Sequence, residues 1–270
     1  MLYTSLMVLV VMGIVGLSFG FILAFANKKF AMEVNPLIHI VEDILPKGQC
    51  GACGYAGCMA YAEAVVLDPN VAPTLCIPGK ATVAKLVGEL TGKAAPEMEE
   101  RIAHVKCAGT LDVSERKYYY AGLEDCAAAT LLHSGPKGCQ YGCIGFGSCA
   151  TSCPFDAIEM GNDGLPMINS LKCTGCGKCE TVCPKHVIEM APVGVHVSVN
   201  CNSNDKGAVA RKYCTVACIG CSLCQKNCPH GAINMESSLA VVDAKICMSI
   251  CDSPTCISKC PTKAIVERIK

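Results

Sequence analysis

The sequence predicts an α+β protein with an apolar helix at its start, and three observations predict it. Its first 26 residues carry no charge, 24 of its 270 residues are cysteine, and one Cys-Pro hexapeptide pattern recurs four times. Cysteine at this density, with Trp absent and aromatics at 5%, excludes ordinary core composition, so something other than aromatic packing must organise the chain. Charged residues at 17% exclude a disordered polar chain as well.

The first element is the run LYTSLMVLVVMGIVGLSFGFILAFA, residues 2–26. As a helix it would be about 37 Å long, enough to cross a hydrocarbon core of about 30 Å, and 1–26 is read as a transmembrane anchor. Lys28 and Lys29 follow it and no Lys or Arg precedes it, so the charge bias predicts a single-pass protein of the cell inner membrane with its soluble domains on the cytoplasmic side. A cleaved signal peptide is the alternative, since Ala24-Phe25-Ala26 has a small-x-small form. The segment lacks the basic start and the short apolar stretch that a signal peptide needs. One helix cannot form a gated ion path, so any ion movement would fall to partner subunits.

Residues 27–95 are predicted to form a small, mostly helical domain with four cysteines. Between 31 and 46, Leu37, Ile40, Val41, Ile44 and Leu45 recur at helical spacing. The segment GQCGACGYAGC then supplies Cys50, Cys53 and Cys58, and Cys76 follows the helical stretch MAYAEAVVL. Glycines between the first three let the backbone wrap one corner of a 4Fe-4S cluster, which Cys76 closes. A structural zinc site is the alternative, but zinc sites usually present paired Cys-x2-Cys knuckles. KATVAKLVGELTG reads as a helix ended by Gly92, and AAPEMEE as an exposed linker.

The repeat follows: CPFDAI from Cys153, CPKHVI from Cys183, CPHGAI from Cys228 and CPTKAI from Cys260. Two of the groups, CTGCGKCETVCP and CIGCSLCQKNCP, have the Cys-x2-Cys-x2-Cys-x3-Cys-Pro spacing of a bacterial two-cluster ferredoxin, whose fourth cysteine ligates the other cluster. Residues 96–195 and 196–270 therefore read as two tandem ferredoxin-like units. On that template Cys139, Cys143, Cys149 and Cys183 hold one cluster and Cys153, Cys173, Cys176 and Cys179 its neighbour. Cys218, Cys221, Cys224 and Cys260 hold the next, and Cys228, Cys247, Cys251 and Cys256 the last. Five 4Fe-4S clusters result. Cys107, Cys126, Cys201 and Cys214 remain, as buried reduced thiols, as ligands of a sixth cluster bridging the repeats, or as disulfides.

No Gly-x-Gly-x-x-Gly fingerprint follows a strand, so neither an NAD nor a flavin site is expected in this chain, and no nucleophile with a base is visible; no nucleic-acid partner is indicated. Charge is polarised: residues 171–270 hold 12 Lys or Arg against 7 Asp or Glu, while residues 31–100 hold 4 against 9. Lysines that offset cluster charge explain this, and so does a docking face for an acidic carrier built around Lys259, Lys263 and Arg268.

The layout of anchor, GQCGACGYAGC domain and Cys-Pro ferredoxin units resembles the B subunits of Rnf-type electron transport complexes, over essentially the whole chain. The resemblance implies a component of a membrane translocase that passes electrons between reduced ferredoxin and NAD, coupled to Na+ or H+ movement. Its partners would be reduced ferredoxin, the membrane, and other membrane subunits, flavin- and NAD-binding ones among them. An iron-sulfur component of another membrane oxidoreductase, of hydrogenase or formate dehydrogenase type, is the alternative, as is a redox sensor or cluster carrier.

Overall fold

The computed structural model describes residues 2–30, 35–251 and 254–268. Helix α1 runs Leu2–Phe30, and within it Ser5–Lys29 has a mean hydropathy of 2.7 and none of its best apolar window buried against the rest of the chain. It is the one helix among the described residues that is long and apolar enough to cross a membrane. Its Ser18 hydroxyl donates to the Ile14 carbonyl at 2.6 Å, so this polar group stays satisfied in an apolar surrounding.

Residues 31–34, where the sequence reading begins its amphipathic segment, lie outside the described residues. Helix α2 (Pro36–Ile44) opens with Pro36 at its first turn and the Asn35 side chain accepting from the Leu37 N–H at 3.0 Å. Its buried stripe is Ile38, Val41 and Leu45, and Ile40 is half exposed, so the inward face is rotated from the one the apolar spacing suggested. That stripe packs on Tyr61, Ala62 and Val65 of α3 (Cys58–Leu67) and Val87 of α4 (Lys80–Thr91). Gly92 ends α4 in the left-handed conformation, φ 69°, as the sequence predicted. Next to it the Lys93 ammonium donates to the carbonyls of Val65, Asp68 and Val71 at 2.7, 2.6 and 2.8 Å, tying the loop after α3 to the end of α4. Lys93→Met should therefore destabilise this domain by about 2 kcal/mol, seen as faster hydrogen exchange in α3 and α4 with the exchange of the later strands unchanged.

The rest of the chain consists of two units with the same plan. In the first, β1 (Arg101–Val105) pairs antiparallel with β4 (Ile188–Pro192), Val105 opposite Ile188, and β2 (Ile158–Met160) forms a hairpin with β3 (Pro166–Ile168). In the second, β5 (Val197–Val199) pairs with β8 (Ile265–Glu267) and β6 (Ile233–Glu236) with β7 (Leu239–Val242), both antiparallel. Both units carry inserted helices, α5 (Cys126–Thr130) in the first and α8 (Gly207–Tyr213) and α10 (Ala244–Ile250) in the second.

The fourfold repeat has one local geometry. A single helical turn, α6 (Ser148–Thr151), α7 (Lys178–Thr181), α9 (Leu223–Lys226) or α11 (Thr255–Ser258), carries a cysteine as its second residue. The Cys-Pro pair follows, and the third residue after each such cysteine adopts a positive φ: Asp156, His186, Gly231 and Lys263. Its N–H donates back to the cysteine carbonyl, at 3.1 Å in the case of His186 to Cys183, which turns the chain into the next strand. The following Ala or Val and Ile are buried in all four copies, from Ala157 and Ile158 to Ala264 and Ile265. Of the sixteen buried residues in the core of the second unit, six are cysteine and five alanine, so little aliphatic bulk is left to hold two-stranded sheets together.

Candidate iron-sulfur sites

Six groups of four cysteines converge. In the helical domain Cys50, Cys53 and Cys58 lie in electrostatic range of Cys76, which burial pushes up to about 11. Left-handed Gly51 and Gly54, φ 71° and 85°, turn the backbone between the first two, and the Gln49 side chain accepts from the Cys58 N–H at 3.0 Å.

In the first unit Cys153, Cys173, Cys176 and Cys179 ring one cavity, walled by Ala103, Phe155, Ala157 and Ile158. The Ala103 and Ala157 N–H groups donate to the sulfurs of Cys173 and Cys153 at 3.5 and 3.4 Å. Gly175 is essential there: its φ is 71° and a Cβ would strike the Arg101 carbonyl.

The second cavity of this unit is lined by Cys126, Cys143, Cys149 and Cys183. This departs from the sequence reading, which put Cys139 there and left Cys126 unassigned. The reason is local. Asp125 caps α5 by accepting from the Ala128 N–H at 2.8 Å, and its other oxygen accepts from the Ser148 hydroxyl at 2.9 Å; Ser148 in turn accepts from the Cys126 N–H. These bonds pin Cys126 beside α6 and Cys149. Cys139 is drawn away, because Gly138 donates to the Glu115 carbonyl at 2.7 Å and Glu115 donates to Tyr213 of the second unit.

A sequence signal for Cys126 existed. Cys143 and Cys149 are spaced like Cys218 and Cys224, and Phe146 stands where the second unit has Cys221. Phe146 packs on Tyr120 with ring centroids 5.3 Å apart, and the fourth cysteine lining this cavity comes from the insertion instead.

In the second unit Cys218, Cys221, Cys224 and Cys260 line one cavity. Cys228, Cys247, Cys251 and Cys256 lie in mutual electrostatic range and form another group. The sixth group is Cys107, Cys139, Cys201 and Cys214, around a cavity between the units. Cys107 and Cys201 each sit two residues beyond the first strand of their unit, and Cys139 and Cys214 each four residues before Cys143 and Cys218.

The donor set fits iron-sulfur clusters. Zinc binds thiolates at about 2.3 Å and so gathers them within about 3.8 Å of one another, whereas a cubane spreads them by bonding each to a different iron. Among the described residues no three His, Cys, Asp or Glu side chains converge closely enough to hold one ion. Burial pushes Cys143 and Cys179 up to about 12 and Cys149 and Cys256 up to about 11, so these thiols stay protonated until iron displaces the proton.

The groups also lie end to end. Cys176 is in electrostatic range of Cys50, and Gly48 packs against the Phe155 ring, so the helical domain abuts the first unit. Cys179 is in range of Cys149, the Cys143 N–H donates to the Cys107 sulfur at 3.4 Å, and the Cys218 N–H donates to Cys201. In the second unit α9 packs on α11, with the Thr255 hydroxyl donating to the Asn227 carbonyl at 3.1 Å. Lys259 and Lys263 are exposed, but Arg268 is not a docking residue: its guanidinium is partly buried and donates to the Pro192 carbonyl of the first unit at 3.3 Å.

A tethered array of cysteine quartets on ferredoxin-like units is an iron-sulfur electron-transfer protein of the polyferredoxin class. Family descriptions agree: an Fe-S cluster family matches residues 45–78, a 4Fe-4S dicluster domain residues 141–188, and a 4Fe-4S binding domain residues 218–232. The B subunit of the proton-translocating ferredoxin:NAD(+) oxidoreductase complex of Clostridium ljungdahlii is 61% identical over 262 residues, covering 97% of this chain and 92% of the relative. The B subunit of the Na(+)-translocating ferredoxin:NAD(+) oxidoreductase complex of Acetobacterium woodii is 40% identical over 94% of this chain and 75% of the relative. That of the ion-translocating oxidoreductase complex of Methanosarcina acetivorans is 40% identical over 94% of each. The chain belongs to this family, the B subunits of Rnf-type ion-translocating oxidoreductase complexes.

Proposed function

We propose that this chain takes electrons from reduced ferredoxin and relays them through 4Fe-4S clusters to membrane partner subunits, flavin- and NAD-binding ones included, that reduce NAD while moving Na+ or H+. The observation that supports this reading is the end-to-end succession of cysteine quartets, from the second unit to the helical domain that follows α1. Cys50, Cys53, Cys58 and Cys76 hold one cluster. Cys153, Cys173, Cys176 and Cys179 hold the next, and Cys126, Cys143, Cys149 and Cys183 a third. The second unit holds two, on Cys218, Cys221, Cys224 and Cys260 and on Cys228, Cys247, Cys251 and Cys256. Lys28 and Lys29 set α1 with the clusters on the cytoplasmic side of the inner membrane.

Bound cubanes supply reversible one-electron storage. The chain's own contribution is to fix their spacing on short turns, to donate N–H groups to sulfur, and to keep water out with Ala, Val and Ile side chains. No acid or base is needed along the way. Electrons would enter at the second unit, where Lys259 and Lys263 are exposed for an acidic carrier, and leave through the Cys50 to Cys76 domain.

Rapid-freeze electron paramagnetic resonance on the whole complex mixed with reduced ferredoxin tests this. Cubane signals should rise before NADH forms; NADH formed with these clusters still oxidised would overturn the relay. Replacing Lys259 and Lys263 with Ala should slow cluster reduction several-fold at low salt and flatten its salt dependence. An unchanged rate and slope would remove ferredoxin docking from that face.

A further inference from the structure

We infer that the cavity between the β1–β4 ribbon of the first unit and strands β5 and β7 of the second binds one small monovalent oxyanion that also carries an O–H group, of the hydrogencarbonate or dihydrogen phosphate kind, and that the bound ion clasps the two units together. The cavity measures about 150 Å3. That is room for about five waters, or for one such ion with water beside it. Its charged and polar lining comes from both sides: His104, Lys106 and Glu189 from the first unit and Arg268 from the end of the second. Val197, Val199 and Leu239 close much of the rest with apolar surface.

Strand alternation brings the first three groups here. Ala103 walls the cavity ringed by Cys153, Cys173, Cys176 and Cys179 on one face of the ribbon, so His104 beside it takes the other face, opposite Glu189 in the ladder.

The charges around the cavity do not cancel. Lys106 and Glu189 pair at 3.1 Å, which leaves Arg268. Its guanidinium is partly buried and donates to the neutral carbonyls of Pro192 and Ile102 at 3.3 and 3.5 Å; among the described residues no carboxylate forms an ion pair with it. Glu189 acts on it only from a distance, being engaged by Lys106. One positive charge is therefore in excess in a partly desolvated site. A monovalent anion neutralises it, whereas a divalent one would bring uncompensated charge in among valines.

His104 sets the second requirement. The imidazole donates to the Asn200 side chain, whose oxygen also accepts from the Ser198 hydroxyl at 3.0 Å, and the remaining ring nitrogen, Nε2, is buried without a hydrogen-bond partner. Burial, with Arg268 and Lys106 adding to it, pushes His104 down to about 4, so the ring is neutral and Nε2 offers a lone pair. A lone pair needs a donor, and neither chloride nor acetate has one. A protonated oxyanion has both parts, acceptor oxygens for Arg268 and an O–H for His104. Because those two residues belong to different units, opening the seam breaks half of the ion's contacts.

Hydrogen exchange on the iron-loaded full-length protein, at neutral pH and fixed ionic strength, tests the site when sodium chloride is replaced stepwise by hydrogencarbonate, phosphate or acetate. At ten times its dissociation constant a clasping ion should slow exchange of the β1, β4 and β5 amides about tenfold, saturably, and leave α3 and α4 unchanged. Protection by hydrogencarbonate or by phosphate supports the site and identifies which ion fills it. Equal protection by acetate would overturn the O–H requirement, and no saturable protection by any of the three would mean that the cavity holds water only. Arg268→Gln should abolish the protection, and His104→Phe should make the three anions equivalent. Full protection persisting in Arg268→Gln would put the ion elsewhere on the molecule and overturn the assignment. If either variant fails to fold, the comparison of anions on the unmodified chain decides by itself.

Discussion

A Cys126→Ala chain will lose one cubane from its first ferredoxin-like unit, with iron content falling by about four per molecule and electron passage to the helical domain falling to background. The expectation follows from the place of Cys126 on α5, pinned by Asp125 and Ser148 beside Cys149 and facing the cavity that Cys143 and Cys183 also line. The partner test is a rescue. Position 146 stands where the second unit has Cys221, so adding Phe146→Cys to Cys126→Ala should restore both the iron and the rate. Redox-titrated electron paramagnetic resonance on the two variants checks it; full iron content in Cys126→Ala alone would return Cys139 to this cluster.

Stripping the clusters will unfold everything after α2 while leaving α1 helical in detergent. Binding at a structural metal site is worth on the order of 10 kcal/mol, comparable with the whole stability of a small domain. Here the sheets are two-stranded, and among the buried residues of the second unit only Val197, Val199, Ile233, Leu239 and Ile265 exceed cysteine in bulk. Without iron the cavities would be surrounded by thiols that gain nothing from facing one another. Far-ultraviolet circular dichroism after anaerobic chelation should show loss of strand signal in one cooperative step for each unit. A metal-free chain with dispersed native methyl resonances would show instead that aliphatic packing suffices.

Much of this was legible in the sequence because cysteine-bearing turns and long apolar helices are written in local spacing. Uncharged length gave α1, the Cys-Pro repeats gave four turn-strand modules, and Gly92 gave the end of α4. What was missed depended on long-range placement. Spacing assigns Cys139 to the nearest downstream cysteine run, the short-range choice, whereas the Glu115 to Tyr213 contact carries it to the cavity between the units. Cys126 lies seventeen positions ahead of Cys143, and only the Phe146 substitution in an otherwise regular six-residue interval betrayed it. Arg268 read as surface charge because nothing nearby in sequence indicates that its partners lie on β4 and β1. The buried face of α2 was rotated because Leu37 and Ile38 are both apolar, and in the folded domain Ile38 is the one fully buried in the cluster with Tyr61.

Arg268 has one more consequence, for biosynthesis. Its guanidinium reaches the Pro192 carbonyl and approaches that of Ile102, a contact spanning 166 positions of chain. The first unit emerges from the ribosome long before this clasp exists, with the edge carbonyls of β1 and β4 uncovered. Only when β8 has been made and paired with β5 is the edge covered. The first unit is therefore finished by a residue of the second, and its sheet edge is the last part of it to be completed during synthesis.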